Sequence, residues 1–258
     1  MTDRNPLEDP RLGSAVFYPR PDMPYGPEAV GARDQMVELP DGVSLRLRVY
    51  AAPEGAPGIL FFHGNGETAR DYDMLAHRFA ALPARLMIGE YRGYGPSSGT
   101  PSLLTFLSDA HPTMDAARAL LEPDAALLVM GRSMGSAPAI ELAATRGEEL
   151  AGLIVESGFA RVVPLLELIG LPARQLGIRE EHGPRSGEKM ARIGLPTLII
   201  HAEQDEILPI EEADLLFEAC ADPGKAFLRV PHAGHNDIQT RAGESYFEAI
   251  GSLLARIR

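Results

Sequence analysis

The chain has 258 residues, with 36 acidic and 24 basic side chains, a net charge of −12, one cysteine and no tryptophan. An apolar share of 45% excludes a wholly disordered chain, and the acidic excess argues against a duplex-binding module, so no nucleic-acid partner is expected. The lone Cys220 excludes an intrachain disulfide framework or thiolate zinc cluster and fits a reducing, cytoplasmic setting, while strand-sized apolar runs such as 127–130 and 198–200 predict no membrane span.

Residues 1–33 hold Pro6, Pro10, Pro19, Pro21, Pro24 and Pro27 and predict an extended or mobile arm, with Phe17, Tyr18 and Tyr25 favouring partial docking. Residues 1–10 are polar and show no apolar signal core. Segments 35–39 and 43–50 alternate apolar and polar residues around Pro40-Asp41-Gly42, which predicts a hairpin. A short apolar strand follows at 58–62 and runs into His63-Gly64-Asn65-Gly66. A helix is predicted over 68–82, a strand over 85–89, and a helix over 102–121 that Pro112 should kink or split. Strand 126–130 leads into Gly131-Arg132-Ser133-Met134-Gly135 and a further helix. Strands at 152–155, 197–200 and 226–230 alternate with helices at 209–221 and 236–257. Apolar strands alternating with helices predict a mostly parallel sheet covered on both faces, with the hairpin antiparallel at one edge. Length alone permits one large domain or two small ones. The rhythm favours a single α/β domain over 34–258, interrupted by a lid-like insert at about 158–195 whose apolar start could cover a pocket or simply pack on the sheet.

Gly131-Arg132-Ser133-Met134-Gly135 has the form G-x-S-x-G at a strand-to-helix junction, where two glycines permit a tight turn and the helix N-terminus offers free N–H groups. Ser133 is the candidate nucleophile, and the N–H of Met134 would face a developing oxyanion. Asp205 follows the 197–200 strand and His235 follows the 226–230 strand, so Ser133, Asp205 and His235 stand in nucleophile–acid–base order at one sheet edge. A serine hydroxyl needs a base to take its proton, imidazole titrates near neutrality, and a carboxylate fixes its tautomer. His232 and Glu203 are the nearby rivals; His77, His111 and His182 read as surface or packing residues.

With these residues in place, the chain resembles the α/β-hydrolase superfamily over about residues 35–258. The spellings His63-Gly64-Asn65-Gly66, Glu90-Tyr91-Arg92-Gly93-Tyr94-Gly95, Gly131-Arg132-Ser133-Met134-Gly135 and Gly234-His235-Asn236-Asp237 are similar to a branch of small serine hydrolases with little or no cap. The sequence departs from that pattern at Glu90, where aspartate is commoner, and at Ala202, where glycine is usual. The resemblance implies an α/β-hydrolase fold, a second oxyanion donor in the N–H of Asn65, a structural role for His63, and acyl transfer without metal or organic cofactor. Arg92 would tie loops as an ion pair, and Tyr91 and Ser157 could line the pocket. The expected partner is a small-molecule ester or acyl substrate. Ester, thioester and amide cleavage all suit the same residues, and the oligomeric state is open. A different class of reading also exists: Gly64-Asn65-Gly66-Glu67-Thr68-Ala69 fits G-x-G-x-x-A, with Glu90 placed like a ribose-binding acid. That dinucleotide reading leaves the Ser133, Asp205 and His235 order unexplained, and so does a catalytically silent binding protein.

Overall fold

The computed structural model describes residues 10–23, 28–82 and 84–257, with Pro10 and Arg11 described in backbone alone. The strands are β1 (Arg33–Glu38), β2 (Ser44–Val49), β3 (Gly58–Phe62), β4 (Arg85–Gly89), β5 (Leu127–Arg132), β6 (Gly152–Glu156), β7 (Thr197–Ala202) and β8 (Ala226–Val230). They form one eight-stranded sheet in the order β1-β2-β4-β3-β5-β6-β7-β8. β1 pairs antiparallel with β2, and β2 with β4; every other pair is parallel.

Side-chain alternation explains why the central strands are apolar throughout. Leu60, Phe62, Val129, Val155 and Ile199 share one core with residues of α4 (Ala110–Ala119), α5 (Ser136–Thr145), α7 (Ser186–Met190) and α8 (Ile210–Ala219). Their neighbours Ile59, Phe61, Met130, Ile154 and Ile200 pack on the other face with α2 (Ala76–Ala81), α9 (Ile238–Ala242) and α10 (Glu244–Arg256). Both faces are covered, so no central position tolerates an unpaired polar group.

Three predicted helices are divided, among them the 102–121 stretch expected to kink or split at Pro112. The 68–82 stretch becomes a 3₁₀ turn, Ala69–Tyr72, followed by α2. Between them Asp73 turns its carboxylate back to accept from Arg48 and Tyr50. The 102–121 stretch splits at Asp109 into α3 (Thr105–Ser108) and α4, which leaves Pro112 in the first turn of α4, where its missing N–H costs no helical bond. The terminal stretch breaks between α9 and α10 at Gly243, whose φ of 55° is left-handed.

The arm is not extended throughout. Residues Pro10–Val16 form a short helix, α1, and the chain then runs without regular secondary structure over 17–23. Phe17 is buried as expected, but Tyr18 is exposed; Pro6, Pro24, Tyr25 and Pro27 lie outside the described residues. The insert supplies α6 (Val162–Leu168), a 3₁₀ turn (Glu180–His182) and α7. Leu12 of α1 joins Val162, Val163, Leu166, Ala173 and Ile178 in a third apolar cluster. Arm and insert are therefore packed together.

The polar positions of β2 are not solvent-facing. Arg46 and Arg48 are each 1% exposed, because arm residues cross over them. Arg46 donates to both carboxylate oxygens of Asp22 at 2.6 and 2.7 Å and pairs with Glu90. Arg48 donates to Asp73 at 2.8 Å, Asp34 at 2.7 Å and Glu28 at 2.9 Å. A buried guanidinium persists only when its charge is countered in this way.

Candidate active site

Ser133 follows β5 directly and opens a 3₁₀ turn, Ser133–Gly135, that leads into α5. Its φ is 53°, a left-handed value uncommon for a residue with a side chain. The two flanking glycines make the turn possible. A Cβ on Gly131 would lie 2.1 Å from the Gly135 carbonyl oxygen, and one on Gly135 would lie 2.0 Å from the Phe62 carbonyl oxygen.

The turn brings Ser133 Oγ to 3.0 Å from His235 Nε2. His235 Nδ1 lies 2.8 and 3.0 Å from the two carboxylate oxygens of Asp205. A carboxylate only accepts, so the imidazole proton is assigned to Nδ1, which leaves Nε2 to accept the serine proton. Asp205 Oδ1 also accepts from the N–H groups of Ile207 at 3.0 Å and Leu208 at 2.7 Å. Burial pushes the Asp205 carboxyl up, but the bond and field of His235, together with these amides, bring it below the ordinary carboxylate value. His232 and Glu203, the sequence rivals, are both exposed and outside this chain of bonds.

A second set of contacts holds the His235 loop. Its N–H donates to Glu206 Oε2 at 3.0 Å, and its carbonyl accepts from Arg132 Nη2 at 2.8 Å. Arg132 also donates to Glu156 at 3.2 Å and Asn236 at 3.1 Å, and pairs with Glu67. Glu67 in turn accepts from Gly64 N–H at 2.7 Å and Tyr72 Oη at 2.6 Å. Tyr246 Oη donates to Glu156 at 2.6 Å. One cation thus serves two carboxylates, the buried Glu156 and the half-buried Glu67, with opposite outcomes. Burial raises both, Arg132 opposes it in both, and the balance leaves Glu156 above its ordinary value and Glu67 below.

His63 donates from Nδ1 to the Gly64 carbonyl at 2.8 Å and from Nε2 to Glu90 at 3.1 Å. Burial pushes this imidazole down, yet Glu90 more than offsets it and holds it above its ordinary value. Glu90 is also engaged by Arg46 and by the N–H of Ala69, at 2.8 Å from the latter, so no carboxylate is left free for a ribose. Arg92 ties the loops of Asp41 and Asp109, as expected, at 2.6 Å each.

An apolar cavity of about 250 Å³ opens beside Ser133, with Asn65 and Met134 on its lining. Leu103 and Phe106 line it together with Val16 and Phe17 of the arm. Val162, Leu165, Leu166 and Ile169 line it too, so the start of the insert borders a pocket. Neither Tyr91 nor Ser157 lines it. Tyr91 Oη donates to the His63 carbonyl at 2.7 Å, and Ser157 is fully buried just after β6. His182, expected at the surface or in packing, instead reaches the cavity, because the Glu180–His182 turn folds back over it.

Sequence reasoning missed Arg132, Glu67, Glu206, His182 and the arm wall. Arg132 occupies a freely variable position of its motif, and Glu206 merely follows Asp205, so spacing offered no signal for either. Among the described residues, no group of three His, Cys, Asp or Glu side chains is arranged to hold a metal ion. No helix among them is long and apolar enough to cross a membrane.

A mostly parallel eight-stranded sheet with an antiparallel edge and a serine on a tight turn after its fifth strand defines an α/β hydrolase. The chain belongs to the α/β-hydrolase superfamily: residues 55–185 match the family model described as serine aminopeptidase, S33. It is 30% identical over 211 residues to protein bem46 of Schizosaccharomyces pombe, covering 79% of this chain and 69% of that one. It is 31% identical over 227 residues to an uncharacterized protein of Mycobacterium tuberculosis, covering 86% of this chain and 79% of the relative. Among solved structures, an esterase of Pyrococcus furiosus superposes with a TM-score of 0.74 at 16% identity, over 92% of this chain and 99% of that one.

Proposed function

We propose that the protein is a serine hydrolase that cleaves a carboxylic ester or thioester through a Ser133–His235–Asp205 triad. The observation that carries this reading is His235, whose two ring nitrogens meet Ser133 at 3.0 Å and Asp205 at 2.8 Å at once. In the first half-reaction Ser133 Oγ attacks the substrate carbonyl while His235 Nε2 takes its proton. The N–H groups of Asn65 and Met134 meet the oxyanion of the tetrahedral intermediate. His235 then gives the proton to the departing alcohol or thiol, and the acyl group stays on Ser133. In the second half-reaction water attacks the acyl-enzyme, His235 takes a water proton and returns it to Ser133 Oγ, and the free acid leaves.

The lining of the cavity is almost wholly apolar, which favours an acyl substrate over a charged one. A peptidase reading would call for a carboxylate to hold a substrate amine, whereas Glu67 and Glu156 beside the site are taken by Arg132, Tyr72 and Tyr246. Ser133→Ala should abolish covalent labelling by a fluorophosphonate and hydrolysis of chromogenic esters, with an unchanged circular dichroism spectrum. Labelling that survives in the variant would place the nucleophile elsewhere.

A further inference from the structure

Two of the residues that wall the cavity come from outside the sheet and its connecting loops. Val16 and Phe17 lie on the arm, and Phe17 is 3% exposed with its ring centroid 5.4 Å from that of Phe106. The stretch is tied to the loop after β3 residue by residue. Asn65 Nδ2 donates to the Val16 carbonyl at 2.6 Å, and the Tyr18 N–H donates to Asn65 Oδ1 at 2.9 Å. Arg20 Nε donates to the Gly66 carbonyl at 2.5 Å, and the Gly95 N–H donates to the Arg20 carbonyl at 2.9 Å. The Asn65 side-chain amide thus bonds to the arm and to Tyr94, whose Oη donates to Oδ1 at 2.6 Å.

The cavity also has a side. Asn65 and Met134 line it with Ser133, but His235 does not. A leaving group must depart toward His235 Nε2, which protonates it. The group that fills the cavity is therefore the acyl chain. A volume of about 250 Å³, set against the ~30 Å³ share of one water molecule in the liquid, leaves room for roughly eight non-hydrogen atoms.

We propose that Val16 and Phe17 of the arm are the specificity-determining wall of this site and limit it to straight acyl chains of about eight carbons or fewer. The proposal rests on the serine-hydrolase reading above. Truncating Phe17 lengthens the space, and enlarging Val16 shortens it. Loosening of the fold alone would lower activity on every chain length together and would not move the optimum in opposite directions.

The test uses the full chain and p-nitrophenyl esters with acyl groups of two to sixteen carbons. Rates are normalised to the fraction of enzyme labelled by a fluorophosphonate. Phe17→Ala should raise kcat/KM for the twelve-carbon ester relative to the six-carbon ester by about tenfold or more, the scale of one or two methylenes in an apolar pocket. Phe17→Leu should give an intermediate shift, and Val16→Phe a shift toward shorter chains. Leu168→Ala, on an exposed α6 position outside the cavity, should leave the profile in place. Superimposable profiles for wild type, Phe17→Ala and Val16→Phe would overturn the proposal, as would a wild-type optimum at sixteen carbons. Failure of the fluorophosphonate to label wild type is a separate result, and it would remove the serine-hydrolase reading itself.

Discussion

Ser133 sits at a φ that costs a side-chain-bearing residue about 1–3 kcal/mol. The surrounding groups over-determine it: two glycines without room for a Cβ on either side, and a helix that begins one turn later. His235 is fixed just as tightly, by Asp205 on its ring, Glu206 on its N–H and Arg132 on its carbonyl. Under the proposed mechanism Asp205 selects the Nδ1–H tautomer and stabilises the imidazolium. Asp205→Asn should therefore lower kcat for a chromogenic ester by about 10⁴-fold with little change in KM. A loss below tenfold would mean that another group orients His235. These three residues were legible in the sequence because each stands at the end of an apolar strand, in the order the fold requires. Arg132 was not legible. Its role comes from reaching sideways to Glu67, Glu156 and the His235 carbonyl, and lateral reach leaves no periodic trace.

At the level of elements, the strands could be read closely: β3 and β4 are buried on both faces and must be apolar, and their ends, like those of the edge strand β8, fall where the predicted strands end. Helices were less legible where a tertiary bond, as at Asp73, or a glycine at positive φ, as at Gly243, interrupts them. β2 shows the same effect in reverse. Its alternation reads as a half-exposed strand, yet Arg46 and Arg48 are covered by acidic groups of the arm. Arg46→Ala would leave the fully buried Glu90 with His63 and the Ala69 N–H alone, and release Asp22, the arm's own carboxylate. Removing one partner of a buried pair costs about 3–5 kcal/mol, and urea unfolding should show a loss of that order. A loss under about 1 kcal/mol would mean that the arm does not depend on this anchor.

Across the molecule as a whole, the buried His63–Glu90 pair makes stability depend on pH in a definite direction. Burial raises the Glu90 carboxyl, but His63 and Arg46 hold it below its ordinary 4.5. Such a carboxylate adds stability above 4.5 that is lost as pH falls through its native value. His63 is held above its ordinary 6.5, so it adds stability below 6.5 that is lost as pH rises through its native value. The two contributions overlap between those limits. The gap in melting temperature between wild type and Glu90→Gln should be widest in mildly acidic buffer and should narrow toward alkaline pH. A gap constant from about pH 5 to about pH 9 would show that His63 stays neutral in the fold.

The arm and insert that close over the cavity belong to stretches of chain separate from the strand ends that carry Ser133, Asp205 and His235. Under the proposed mechanism, selectivity and chemistry are coded in different places. Later parts of the insert, such as Met190 of α7, pack in the main core, so residues 12–20 and 162–178 form the matched pair of cassettes that can be exchanged, in evolution or in the laboratory. They must change together, because Leu12 rests on the insert and Val16 holds Asn65. A graft that replaced the insert alone would leave Leu12 without its packing and slacken the arm's hold on Asn65, so new substrate ranges should arise only by coordinated substitution at both ends of that contact.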